Sequence, residues 1–188
     1  QRIEPLLAEA MQSGVADRLA VQHAAAVISD DDLPRNVLRS GRDSSMFQAV
    51  ELVQQGKVQA MVSAGNTGAL LMIGRHLLKT ISGIHKPALV AAIPGSTQQT
   101  FLLDVGANPE VSAQHLFEFA VMGSVLAGSL NGSTARVGLL NIGAENFKGT
   151  DEVREAATML ENCSALDYIG FVEANALFAG VADVVVCD

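Results

Sequence analysis

"RVGLLNIGAENFKGTDEVREAATMLE", Arg136 to Glu161, is the stretch on which the fold of this chain turns. Its opening, Arg136–Ile142, is an apolar run that reads as a strand. Its close, Thr150–Glu161, has helical period, with Thr150 placed to cap the first turn. Between them lies a loop carrying Asn141, Gly143, Glu145 and Lys148, and that lysine is one of only four in the chain. Strand, glycine-containing loop and capped helix together make one β-loop-α unit.

The same alternation runs outward in both directions. Strand-like runs are expected at 19–24, 59–63, 88–93, 100–105, 136–142, 168–172 and 183–187, and helix-like runs at 3–12, 44–55, 66–81, 113–130, 150–161 and 173–179. "ALVAAI" (Ala88–Ile93) and "ADVVVCD" (Ala182–Asp188) are apolar on both faces, as a sheet covered on both sides by helices requires. The spacing predicts an α/β fold with a mostly parallel sheet. One pair must differ: "PGSTQQ" (94–99) is too short for a crossover helix, so 88–93 and 100–105 are expected to form an antiparallel hairpin. No internal repeat, low-complexity tract or clear linker interrupts the pattern.

Composition sets the outer limits. At 188 residues the chain suits one core, a single α/β domain over 1–188, with two small lobes as the other arrangement. Mean hydropathy is +0.30, yet Gly, Asn or a charge cuts every apolar run short of the roughly 18 residues that a membrane span needs. No basic segment followed by an apolar one marks a leader peptide. A net charge of −8 and a pI near 4.9 argue against a grip on nucleic acid, which wants a basic stripe. Arg35, Arg39 and Arg42 fall at helical spacing and read first as a solvated face, with an anionic head group or an acidic carrier protein as the alternative partner. Cys163 and Cys187 are isolated thiols, which suits a reducing, cytoplasmic setting.

In an open α/β sheet ligands bind beyond the carboxyl ends of the strands, so the residues there carry the functional reading. "SAGNTGAL" places Ser63, Gly65, Asn66, Thr67 and Gly68 at the start of a helix, where Asn66 or Thr67 can cap and free N–H groups favour an anion. "DVGAN" ends another strand with Asp104 and Asn108; alone it reads as an Asx-type turn. "ADVVVCD" runs into Asp188, at the same rim.

Several chemistries are excluded by pattern. Gly143–Thr150 reads G-A-E-N-F-K-G-T, with lysine and glycine exchanged relative to a phosphate-binding P-loop. There is no G-x-G-x-x-G fingerprint and no G-x-S-x-G elbow, and Ser124 and Ser129 sit in an apolar helical pattern. His23, His76, His85 and His115 lack partner motifs, so neither a covalent serine mechanism nor a metal site is suggested. What remains is a rim of glycines, amides, carboxylates and one lysine, fit to hold an anion and stabilise developing charge.

Six segments, "DDLPRNVLRSGRDSSM", "SAGNTGALL", "FLLDVGAN", "FAVMGSVLA", "RVGLLNIGAENFKG" and "VADVVVCD", in this order and spacing, closely resemble the phosphate acyltransferases of bacterial phospholipid synthesis. The resemblance covers essentially the whole chain. It implies a Rossmann-like, three-layer α/β/α fold similar to the isocitrate and isopropylmalate dehydrogenases and the phosphotransacetylases. It also implies a homodimer in the cytoplasm, with peripheral contact at the inner face of the membrane. The implied reaction moves a fatty acyl group from acyl carrier protein to inorganic phosphate, giving acyl phosphate, with no cofactor and no metal. Family members open on a "DAMGGD"-like loop and continue past "VVVCD" into "GF-x-GN", so the resemblance implies a segment from the middle of a longer enzyme. Ala144 and Ala174 depart from residues common in the family. Carried onto this sequence, it gives Lys148, Asn141 and Asp188 catalytic roles. Ser63, Gly65, Asn66, Thr67, Gly68, Asp104, Asn108, Gly143 and Glu145 become the phosphate and substrate contacts. The alternatives are a phosphotransacetylase-like enzyme using acyl-CoA, a decarboxylating dehydrogenase relative, and a non-catalytic module that binds acyl carrier protein.

Overall fold

The computed structural model describes residues 18–187 apart from Thr97 and Asn146, together with Pro5, Leu7 and Ala8; Pro34 and Arg35 are described by their backbone. The chain divides into two compact units, Gln1–Leu78 and Lys79–Asp188. The expected helix at 3–12 lies mostly outside the described residues.

The first unit is helical. Helix α1, Pro34–Ser40, opens on a proline, whose fixed φ and missing N–H suit a first turn, and closes at Gly41, which donates to the Val37 carbonyl. Its place among the expected elements was marked only by the arginine spacing. Helix α2, Ser45–Gln54, is capped by Ser44, whose hydroxyl accepts from the Phe47 N–H at 3.2 Å. Helix α3 spans Thr67–Leu78. Ile28, Val37, Met46, Phe47, Val50, Ala69 and Ile73 form one apolar cluster between these elements.

The strands expected at 19–24 and 59–63 do not form; both segments are irregular. A strand holds only when its backbone groups find a neighbour. Among the described residues of this unit, the strand-type pairing is one isolated parallel bridge, Ala26 to Ser44. Met61 still packs on the apolar cluster, but Val62 is 99% exposed and Val21 47%.

The second unit is built on a five-stranded sheet. Strands β1 (Val90–Ile93), β2 (Thr100–Leu103), β3 (Arg136–Leu140), β4 (Asp167–Val172) and β5 (Val184–Val186) lie in the order β1-β2-β5-β3-β4. β1 and β2 form the expected antiparallel hairpin, Val90 opposite Leu103 and Ile93 opposite Thr100. All other pairs are parallel, so the fold is mixed α/β with a mostly parallel sheet.

Alternation along the strands decides which face each side chain serves. Phe101, Leu103, Val137, Leu139, Val184 and Val186 pack against helices α4 (Ala113–Asn131) and α5 (Asp151–Glu161), through Leu116, Phe119, Ala120, Val153, Ala156 and Leu160. Val172 and Val185 face the other way, with Leu102 and Leu140, and are covered by Ala176 and Leu177 of a 3-10 turn, Ala174–Ala179. The helix expected over 173–179 is thus this tighter form. Central β5 has no exposed side chain, and fully burying each valine is worth about 1.5–2 kcal/mol at most.

The amino end of the sheet is tied off by an ion pair. Arg136 Nε and Nη2 donate to the two Asp183 carboxylate oxygens, each at 3.1 Å, and the Arg136 backbone N–H donates to Oδ2 at 2.7 Å. Burial alone would raise the Asp183 pKa, but these bonds hold it below the ordinary carboxylate value. Among the described residues, no helix is long and apolar enough to cross a membrane.

Candidate active site

Because β2, β5, β3 and β4 run parallel, their carboxyl ends share one rim of the second unit. The ends of β2 and β5 are zipped together. Cys187 N–H donates to the Leu103 carbonyl, Asp104 N–H to the Cys187 carbonyl at 3.3 Å, and Cys187 Sγ to the Asp104 carbonyl at 3.1 Å. Asp104 itself is buried and turned inward. Its Oδ1 accepts from the N–H groups of Leu89 (2.8 Å) and Ala107 (3.3 Å), and its Oδ2 from the backbone and side chain of Asn108 (2.9 and 2.7 Å). The Asn108 amide also donates to the Pro87 carbonyl at 2.9 Å. This carboxylate spends its acceptor capacity organising the turn, and the Asn108 amide nitrogen is engaged with it.

The loop after β3 has a different design. The Asn141 backbone N–H donates to the Val172 carbonyl at 3.0 Å, which joins the ends of β3 and β4. Its side chain staples the loop shut: Oδ1 accepts from the Ile142 N–H at 2.9 Å and Nδ2 donates to the Lys148 carbonyl at 3.1 Å. Gly149 makes that closure possible. It sits at φ +91°, and a Cβ there would lie 2.5 Å from Asn141 Oδ1. Thr150 then caps α5, its hydroxyl accepting from the Val153 N–H at 3.3 Å.

Lys148 projects from this staple. Its Nζ lies 2.8 Å from Glu145 Oε2, and its N–H donates to the Glu145 carbonyl at 3.0 Å, so the two side chains meet across one turn. They fold over Gly143, where a Cβ would come within 2.7 Å of both charged groups. Glu145 and, more weakly, Glu173 raise the pKa of Lys148, while Lys148 lowers that of Glu145. The lysine is therefore a standing cation rather than a base at neutral pH. The neighbouring helix terminus offers an anion less: Asp151 and Glu152 occupy the first turn of α5, with Arg154 paired to Asp151 and to the Gly149 carbonyl.

Beside the loop opens a cavity of about 510 Å³, lined by Leu140, Asn141, Ile142, Gly149, Thr150, Val153, Glu173, Ala174 and Asn175. Its wall mixes aliphatic side chains with amides, one hydroxyl and one carboxylate. Glu173 and Asn175 were not singled out from sequence, although they follow β4 at the same rim and the rule that flagged Lys148 reaches them too. Asp188 lies outside the described residues. Among the described residues, no three His, Cys, Asp or Glu side chains converge as metal ligands would.

In the first unit, Asn66 is the cap. Its Oδ1 accepts from the Ala69 N–H at 2.9 Å, and its Nδ2 reaches the carbonyls of Ser29, Asp30 and Asp32 at 3.1–3.3 Å. The Asn66 amide is thus fully engaged in structure. Helix geometry leaves the first-turn N–H groups of Thr67 and Gly68 without intrahelical acceptors. Ser63 Oγ accepts from the Gly65 N–H at 3.2 Å, shaping the loop before them.

A mostly parallel sheet with a cavity at the carboxyl ends of its strands places this chain among the α/β proteins, in whose open sheets that rim is the usual place for a ligand. The solved structure of EutD phosphotransacetylase from Staphylococcus aureus is similar, with a TM-score of 0.57 and 20% sequence identity over 94% of this chain and 66% of that one. At that identity the likeness is one of fold. Sequence goes further: the chain belongs to the family described as fatty acid synthesis protein, which matches residues 1–188. The phosphate acyltransferase of Pseudomonas putida is 52% identical over 189 residues, 98% of this chain and 56% of its own length. That of Pseudomonas syringae pv. syringae is 53% identical over 171 residues, 91% of this chain and 50% of its own length. The chain spans about half the length of the curated relatives it matches.

Proposed function

We propose that this chain is part of an enzyme that transfers a fatty acyl group from acyl carrier protein to inorganic phosphate. The observation that carries the reading is Lys148, a stapled and permanently charged lysine on the loop beside the rim cavity, in a chain half identical to phosphate acyltransferases. Hydrogen phosphate is already a nucleophile at neutral pH, so the protein's work is to position it and to stabilise charge. A phosphate oxygen attacks the thioester carbonyl carbon, and the carbonyl electrons move onto oxygen. Collapse of that oxyanion breaks the C–S bond, leaving acyl phosphate, and the proton from hydrogen phosphate ends on the departing thiol.

Lys148 faces the negative charge, on phosphate or on the oxyanion. Asn141 holds the backbone that carries Lys148, and the apolar side of the cavity receives the first part of the acyl chain. Asp104 and Asn108 contribute by fixing the neighbouring turn, and Asp188 takes or positions the proton. Within the first unit, Thr67 and Gly68 offer N–H groups to an anion. We extend the reading to a homodimer in the cytoplasm, in peripheral contact with the membrane.

Lys148→Met in the complete natural protein tests it. Loss of a preorganised donor to developing charge commonly costs about 10²–10³ in rate, and acyl-phosphate formation should fall by that factor with the melting temperature unchanged. Unaltered turnover would remove Lys148 from the mechanism. Offering acyl thioesters of acyl carrier protein and of CoA side by side decides the donor; preference for CoA would favour the phosphotransacetylase-like alternative.

A further inference from the structure

Lys148 already holds an oxyanion. Glu145 Oε2 stands 2.8 Å from Nζ, the separation expected of a charged hydrogen bond to carboxylate or phosphate alike. The glutamate is held by this pair and, second to it, by its own backbone N–H; its side chain is 52% exposed, and the turn beneath is closed by backbone, Lys148 N–H to Glu145 carbonyl. Gly143 is what lets the two charged groups fold over the loop. We propose that the Glu145 carboxylate is a built-in competitor for the phosphate position on Lys148, displaced into solvent each time the substrate anion binds. The inference rests on the proposed function of the same loop.

The competition sets the apparent phosphate affinity. A binding position open for only a fraction of the time shows a Kd raised by the inverse of that fraction. Exposed ion pairs are weak, which puts the fraction at about one third to one fifth. A dianion then displaces a monoanion without strain, and the cost protects Lys148 from chance anions of lower charge. Glu173, which also acts on Lys148, adds to the same negative field.

The test uses the complete natural protein and inorganic phosphate, followed by calorimetry. Glu145→Gln should lower the phosphate Kd by about three- to fivefold, with the gain shrinking as salt rises. Glu152→Gln removes an equal charge from the adjacent helix without touching the pair and should change Kd much less. Lys148→Met on the Glu145→Gln background should abolish the gain. An unchanged or raised Kd in Glu145→Gln, or no phosphate binding in either protein, overturns the proposal. Tighter phosphate binding without acyl-phosphate formation would uphold the competitor and overturn the acyltransfer reading. Acyl-phosphate formation with an unchanged Kd would do the reverse.

Discussion

Replacing Gly149 by alanine tests the staple that carries Lys148. Two costs follow from the structure. An L-residue at φ +91° is held in left-handed backbone, worth about 1–2 kcal/mol. The new methyl would also sit 2.5 Å from Asn141 Oδ1, so the amide must retreat by about 1 Å to reach ordinary contact. That movement breaks its bond to the Ile142 N–H, to the Lys148 carbonyl, or both, at about 0.5–1.5 kcal/mol each. The sum is about 1.5–5 kcal/mol. The protein can express it as lower global stability or as an unhooked loop, and two assays cover both outcomes. Denaturant unfolding should show a lower midpoint at unchanged slope; failing that, phosphate binding should weaken because Lys148 is no longer held. A Gly149→Ala protein with both the midpoint and the phosphate affinity of the parent would refute the account of Asn141 and Gly149.

Gly74 is the contrasting glycine, within α3, where a Cβ would meet nothing within 4 Å. Gly74→Ala should therefore stabilise the protein by about 0.5–1 kcal/mol through helix propensity, read as a raised unfolding midpoint. Glu118 predicts an acid limb. It is buried on α4; burial raises its pKa, but bonds from the His85 N–H and ring and from Gln114 outweigh that and hold it below 4.5. Its stabilisation is complete above about pH 4.5 and is lost as pH falls through the lowered folded value. Unfolding midpoints across that range should drop less steeply in Glu118→Gln; an identical slope would show that Glu118 contributes nothing to it.

Much of the second unit was legible because its signals are local. The apolar run of 136–142, the loop and the Thr150 cap lie within one stretch, and the link of 94–99 is too short for anything but a hairpin. The first unit misled for the complementary reason. The runs at 19–24 and 59–63 have strand composition, but a strand also needs a partner, and that is a property of the whole arrangement. At the site, residue types revealed local roles better than distant partners. The residues alone offered Asn66 as a helix cap and Asp104–Asn108 as an Asx-type turn, and the resemblance added ligand contacts to both. In the structure Asn66 caps a helix and gathers three carbonyls from 34 to 37 residues away, while Asp104 closes its own turn. His85 lacked a carboxylate nearby in sequence and has Glu118, 33 residues on. Lys148 and Glu145 lie only three residues apart, so their meeting across one turn needs no distant contact.

The position of β5 has a consequence for synthesis. Val184–Val186 is the strand between β2 and β3, yet it is the last of the five to be made. Until it leaves the ribosome, the β1–β2 hairpin and the β3–β4 pair each present an open edge, and no ladder can join them. Parallel pairing across more than 80 residues is intrinsically slow, and open edges invite other chains. A nascent chain paused before residue 184 is thus two half-sheets awaiting a common partner, and chaperone demand should peak there and fall once the three valines emerge.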